Sequence, residues 1–288
     1  MVELENKKII IYGAGRAGRR INGLLPQKAY AFCDTYKTGV DKVTKLNILS
    51  NTELLEHKDA YIIIGISDYN NVNIVCEVEV FLRENGFKET AILRYSEFLK
   101  LASQCIPMQD WQNDRDHKYC FGENFPVIAH MAKWIDSDDE SVVDLGAGDM
   151  CLRSLLPSSV SYYPVDYIQR MPETIVIDLN KNITDLKIHA DVYFLCAMLY
   201  YMDNPAGLLE HISRYAEKKI IIALHKVNFG RHPEVMHVGG YKSYMYVDEI
   251  TRLLTGQGFS LKRNEVLEEK HRVCLLYKRS ELDMGESK

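Results

Sequence analysis

The chain has 288 residues, 47% hydrophobic and 26% charged, a mixture that fills two ordinary cores and excludes a disordered or fibrous chain. A formal net charge of −5 excludes a global basic field, so no nucleic-acid partner is expected. The 7 cysteines are scattered without C-x-x-C spacing, which speaks against a disulfide framework or a metal site and for reduced thiols in a cytoplasmic protein.

The first residues, MVELENKK, carry no apolar h-region, and no run approaches the roughly 20 apolar residues of a membrane-spanning helix. KKIIIYGAGRAG (7–18) is a short apolar run ending in Gly-Ala-Gly, the pattern of a parallel strand covered on both faces. A helix is expected over 16–25, stopped by Pro26. A second strand follows over 30–34, a short helix over 51–57 and a strongly apolar third strand over 60–67. A helix over 72–85 closes at Gly86, and a last short strand covers 91–93. Residues 100–120 are polar without periodicity, so the domain boundary falls there. The expected division is 1–100, a linker at 101–120, and 121–288.

The second half opens with a helical pattern over 125–134. Strands are then expected over 141–145, 161–165, 174–177, 192–196, 220–224, 259–266 and 273–278. Helices are expected over 205–215 and 247–255, the latter before Gly256 and Gly258. Alternating units followed by two strands predict a parallel sheet with an antiparallel pair at its end. The fold class is α/β, with two Rossmann-like domains.

Two glycine turns carry the chemistry. The first is Gly13-Ala14-Gly15-Arg16-Ala17-Gly18, with Asp34 ending the next strand. Strand, turn, helix and acid together satisfy the context of a dinucleotide fingerprint. Arg16, Arg19 and Arg20 follow it and are candidates for phosphate contacts. The second turn is VVDLGAGDM (142–150), with Asp144, Gly146 and Gly148. Asp166 ends the strand SYYPVD and Asp178 ends TIVID. Glycine lets a ligand approach the backbone, and an acid at the next strand end can bind a ribose.

From about residue 125 to 278, the ordered series DLGAGD, Asp166, Asp178-Leu179-Asn180, DVYFLCAMLYYMDNP and GQGF resembles the class I S-adenosylmethionine-dependent methyltransferases. The resemblance implies a seven-stranded sheet and S-adenosyl-L-methionine as cofactor. It implies that Asp144, Gly146 and Gly148 cradle the methionine part and the ribose edge. Asp166 would meet the ribose hydroxyls, Asp178 and Leu179 the adenine, and Cys196 and Ala197 the methyl group. Asp149-Met150 stands where the family more often has Gly-x-Gly. The first hundred residues resemble the small Rossmann-like domains found beside bacterial sugar-modifying enzymes. That implies a nucleotide or nucleotide-sugar site at Gly13, Gly15, Gly18, Asp34 and Gly65, with Ser67 nearby.

Methyl transfer from a sulfonium needs alignment and exclusion of water, and an oxygen nucleophile often needs a base. His225 directly follows the fifth strand of the second half and is the first candidate; His232 and His237 come next. Tyr200 and Tyr201 are candidates to shape the acceptor pocket, and His130 and Trp134 are read as core packing. The leading expectation is a methyltransferase of a small polar acceptor, such as a sugar or nucleotide-linked sugar in surface-polysaccharide synthesis. An NAD(P)-dependent oxidoreductase using the first glycine motif, and a non-catalytic two-site nucleotide sensor, stay open, as does a homo-oligomer.

Overall fold

The computed structural model describes residues 4–69, 71–105, 121–226, 232–270 and 272–280. The chain divides into two compact units, Met1–Met108 and Gln109–Lys288.

The first unit runs β1 (Ile9–Tyr12), α1 (Arg16–Leu24), β2 (Ala31–Cys33), β3 (Gly39–Val40), β4 (Asn47–Leu49), α2 (Asn51–Leu54), β5 (Tyr61–Ile64), α3 (Val72–Glu84), β6 (Ile92–Leu93) and α4 (Tyr95–Cys105). Its six strands are ordered β3-β4-β2-β1-β5-β6. Only the β3–β4 pair is antiparallel. Every residue of β1 is buried, as a central parallel strand covered on both faces requires. Ile10, Ile62 and Ile64 pack with Leu54, Val75 and Leu82, each such side chain contributing roughly 1.5–3 kcal/mol. Three elements escaped the sequence reading. β3 has two residues, both exposed, and β4 has three, of which Ile48 is buried, too few for a periodic signal. α4 buries Tyr95, Phe98, Leu99 and Ala102, the i, i+3, i+4, i+7 spacing of an amphipathic helix. It carries regular structure to Cys105, into the stretch assigned to the linker; residues 106–120 lie outside the described residues.

The second unit runs α5 (Phe121–Ala132), β7 (Ser141–Leu145), β8 (Ser161–Asp166), β9 (Ile175–Val176), β10 (Ala190–Cys196), α6 (Pro205–Ile212), β11 (Ala216–His225), α7 (Pro233–Gly239), α8 (Val247–Gly256), β12 (Phe259–Leu267) and β13 (Arg272–Arg279). The expected seven-stranded sheet is present, in the order β12-β13-β11-β10-β7-β8-β9. β13 is antiparallel to both neighbours, β11 and β12. Strand residues alternate between faces. Val143, Leu145, Tyr193, Leu195, Ile220 and Ile222 pack with Leu208 and Leu209 of α6 and Ile250 and Leu254 of α8. Val142, Val192, Phe194, Ile221 and Cys274 pack with Val127 and Met131 of α5.

Two departures matter for the site. Where the strand-turn-helix pattern would place an α-helix after the second glycine turn, the chain forms a five-residue 3-10 turn, Cys151–Leu155. Met150 enters it left-handed, at φ 56°, and Leu156 leaves it extended, at ψ 144°. Leu156 precedes Pro157, whose ring disfavours α geometry in the residue before it. The second departure is α7, an element outside the expected helices; Pro233 begins it, where a missing N–H costs nothing. Among the described residues no helix is long and apolar enough to cross a membrane.

Candidate active site

Parallel strands of an open α/β sheet place ligands at their C-terminal ends. There, β7 delivers the buried Asp144 and then the turn. Gly146 and Gly148 have φ of 73° and 53°, a region that glycine enters without strain. The N–H groups of Gly146 and Ala147 donate to the carbonyl of Val165, at 2.8 and 3.2 Å. A Cβ on Gly146 would stand 3.0 Å from Met198 Cβ, so the turn packs directly on the loop after β10. The N–H of Gly148 donates to Asp166 Oδ2 at 3.0 Å, and that of Ile168 to Asp166 Oδ1 at 3.3 Å. Each carboxylate oxygen retains further accepting capacity.

Asp144 and Asp166 are 4% and 6% exposed. Burial pushes the Asp144 carboxyl up to about 7, and the charge of Asp166 adds to that, while a hydrogen bond from Tyr162 pulls the other way. Tyr162 was absent from the sequence reading. It lies on β8, and only the parallel register pairing Val142 with Tyr162 brings its hydroxyl to Asp144.

Asp178 and Leu179 lie just past the edge strand β9. Asp178 Oδ1 accepts from Asn180 N at 3.1 Å, and Oδ2 pairs with Lys181 at 2.9 Å. Leu179 is packed in the core. Asn180 Nδ2 donates to the carbonyl of Tyr201 at 2.9 Å, tying this segment to the loop after β10. Cys196 closes β10, and burial pushes its thiol up to about 12, against the opposing charge of Arg272. Ala197 has φ 58°, a left-handed conformation that costs a non-glycine residue about 1 kcal/mol or more and concentrates at ligand sites.

His225 ends β11. Its N–H donates to the Tyr200 hydroxyl, and its carbonyl accepts from the Tyr244 hydroxyl at 3.2 Å. Its ring lies 4.9 Å from that of Tyr200 and 5.9 Å from that of Tyr241. Nδ1 meets the guanidinium of Arg272. Arginine offers donors only, so Nδ1 presents its lone pair and the neutral ring carries its proton on Nε2. The Arg272 contact thus engages the ring nitrogen that a general base would use. Nothing in the order of residues marks Arg272. The antiparallel register sets it opposite His225, and pairing register is not readable from one strand.

His232 caps α7, with Nδ1 3.9 Å from Glu234 Oε1; His237 lies in the last turn of the same helix. Tyr200 is 1% exposed and packs its ring against those of Tyr241 and Tyr244. Tyr201 packs its ring 5.4 Å from Tyr241. His130 bonds Glu265 of β12 at 2.9 Å and meets Trp134 edge-on. Arg231, a further basic residue of the segment between β11 and α7, lies outside the described residues.

In the first unit, Asp34 Oδ2 accepts from Ala14 N at 2.9 Å, so the acid holds the glycine turn. A Cβ on Gly18 would stand 2.0 Å from the Gly13 carbonyl oxygen, and one on Gly65 would stand 2.8 Å from Gly18 Cα. Gly13 has φ 114°. Arg19 does not face the turn as a phosphate ligand; it pairs with the buried Asp41 at 2.7 Å. That ion pair, with bonds from Thr44, holds the Asp41 carboxyl down at about 2 against its burial.

No protein-family model and no curated sequence matches the chain. Among solved structures it is similar to magnesium protoporphyrin IX methyltransferase from Synechocystis PCC 6803, at 16% identity over 55% of this chain and 84% of that one, TM-score 0.43. It is also similar to an O-methyltransferase family protein from Burkholderia thailandensis, at 14% identity over 57% of each chain, TM-score 0.46. A third is an S-adenosylmethionine-dependent methyltransferase from Archaeoglobus fulgidus, at 14% identity over 57% of this chain and 100% of that one, TM-score 0.45.

Proposed function

We propose that the chain is an S-adenosylmethionine-dependent methyltransferase of a small polar acceptor. One observation carries this reading: the second glycine turn is closed by two buried carboxylates, Asp144 and Asp166. A polyphosphate at this turn would meet the charge of Asp166, would drive the Asp144 carboxyl toward its neutral form, and would find no α-helix N-terminus. A cationic nucleoside meets the opposite field. S-adenosylmethionine carries a sulfonium and an α-ammonium, and a positive group near Asp144 favours its ionised form.

In this reading Asp144, Gly146 and Gly148 hold the methionine part and the ribose edge. Asp166 accepts from the ribose hydroxyls, and Asp178 with the Leu179 backbone meets the adenine. Cys196 and the strained Ala197 border the methyl group. The bound cofactor supplies an activated methyl; the chain aligns the acceptor and excludes water. Where an acceptor must lose a proton, His232 or His237 of α7 takes it. The first unit would hold a nucleotide or nucleotide-sugar at Gly13, Gly15, Gly18, Asp34 and Gly65, and a sugar-type acceptor follows from its resemblance.

Calorimetry on the full chain tests this with S-adenosylhomocysteine, NAD, NADP and a UDP-sugar in separate titrations. Binding of S-adenosylhomocysteine that is weakened by Asp166→Ala is expected. Tight NAD binding without any response to S-adenosylhomocysteine would replace this reading with the oxidoreductase.

A further inference from the structure

Resting on the methyltransferase reading, we infer that Asn180 is a positioning residue. Its carboxamide joins the segment at the adenine edge to the loop after β10, so that the bound nucleoside sets the loop that borders the methyl group.

Asn180 follows Asp178 and Leu179, just past β9. Its backbone N–H donates to Asp178 Oδ1 at 3.1 Å. Its side chain commits both ends to the backbone of the loop after β10. Nδ2 donates to the Tyr201 carbonyl at 2.9 Å, and Oδ1 accepts from the Asp203 N–H at 2.8 Å. A carbonyl only accepts and an N–H only donates, so these partners fix which end of the amide is which. The residue type follows from the pair of bonds. Aspartate would set a carboxylate oxygen against the Tyr201 carbonyl, and alanine would remove both bonds.

The loop is held from the opposite side as well. The N–H groups of Lys242 and Ser243 donate to the Tyr200 carbonyl at 2.7 and 3.1 Å. Ser243 Oγ donates to the Leu199 carbonyl at 3.2 Å, and Lys242 pairs with Asp203 at 2.9 Å. The next residue, Tyr244, donates its hydroxyl hydrogen to the His225 carbonyl. Hydrogen bonds therefore run from Asp178 through Asn180, the 200–203 backbone and the 242–244 segment to the end of β11. Ala197 begins this loop at φ 58°, a conformation that persists only where the surroundings hold it. Met198 packs on Gly146, so the near end of the loop rests on the glycine turn while Asn180 sets its far end.

A nucleoside amine bonded to Asp178 fixes the carboxylate that holds the Asn180 N–H. Ordering that short segment orders the loop bonded to it, which couples the cofactor's adenine edge to the acceptor side.

The test uses the full chain, with and without saturating S-adenosylhomocysteine, and hydrogen exchange read residue by residue by mass spectrometry. Lys242 and Ser243 bond the Tyr200 carbonyl and not Asn180, so their exchange reports the loop rather than the bonds that a substitution removes. In the unaltered protein the ligand is expected to slow exchange at both by about fivefold or more, the lower end of ordinary coupling between sites, and to slow it at the glycine turn. In Asn180→Ala the glycine turn is expected to keep its slowing, while the effect at Lys242 and Ser243 falls below about twofold. A merely structural Asn180 would raise exchange with and without ligand alike; an unchanged ligand ratio at Lys242 and Ser243 overturns the assignment. A glycine turn that responds in the unaltered protein while Lys242 and Ser243 do not also overturns it, and that result requires no variant to fold. No response at the glycine turn removes the methyltransferase reading, and the role of Asn180 with it.

Discussion

Tyr162 donates its hydroxyl hydrogen to Asp144 across 2.5 Å, joining β8 to the strand that carries the second glycine turn. Of the influences on Asp144, this bond is the one that lowers its pKa. Tyr162→Phe should push the carboxyl further above its value of about 7. Hydrogen bonds to charged groups contribute about 1.5–3 kcal/mol, so affinity for S-adenosylhomocysteine at neutral pH should fall about tenfold or more. Its pH midpoint should move upward. Calorimetry between pH 6 and 9 checks both shifts.

The raised Asp144 value also sets a sign for stability. The folded-state value, about 7, lies above the unfolded value of 3.8. The contribution is therefore fully present below about pH 4 and is lost as pH rises through 7. The whole difference corresponds to at most about 4 kcal/mol. Asp144→Asn removes it, so the ligand-free variant should melt above the unaltered protein at pH 8 and level with it or below at pH 4.5. Thermal unfolding at the two pH values decides; an unchanged difference between them would contradict the ionisation account.

At the other end of the sheet, Lys219 is 3% exposed and pairs with Asp139 and, at 2.6 Å, with Asp136. Lys219→Met should leave Asp139 buried with its charge uncompensated and cost about 3–5 kcal/mol. Lys219→Met combined with Asp139→Leu should recover much of that loss in denaturant titrations.

Apart from β3 and β4, the strands, their order of types and the two glycine turns were legible because buried parallel strands are short apolar runs and their turns need glycine. Asp144, Asp166 and Cys196 were legible for the same reason: they sit at strand ends. What sequence could not supply is pairing across strands. Tyr162 meets Asp144 and Arg272 meets His225 only through register, and each changes what its partner does. α7 was missed for a local reason: PEVMHVG is seven residues long and lies in a stretch rich in His and Gly, too short for periodicity to declare itself.

The first unit offers a steric contrast between neighbouring glycines. Gly18→Ala drives a methyl into the Gly13 carbonyl, while a Cβ on Gly15 meets nothing within 4 Å. Overpacking of this kind costs about 1–3 kcal/mol or more. Thermal unfolding should therefore fall sharply for Gly18→Ala and hardly move for Gly15→Ala.

The central claim is that the carboxylate-closed turn after β7 takes an adenosyl amino acid rather than a nucleoside polyphosphate. Calorimetric titration of the full chain with S-adenosylhomocysteine and, separately, with ATP addresses it most directly. One site for S-adenosylhomocysteine, weakened at least about thirtyfold by Asp166→Ala in a protein whose far-ultraviolet circular dichroism is unchanged, is the predicted result. ATP binding that is lost in Asp166→Ala, with no heat from S-adenosylhomocysteine, would contradict it.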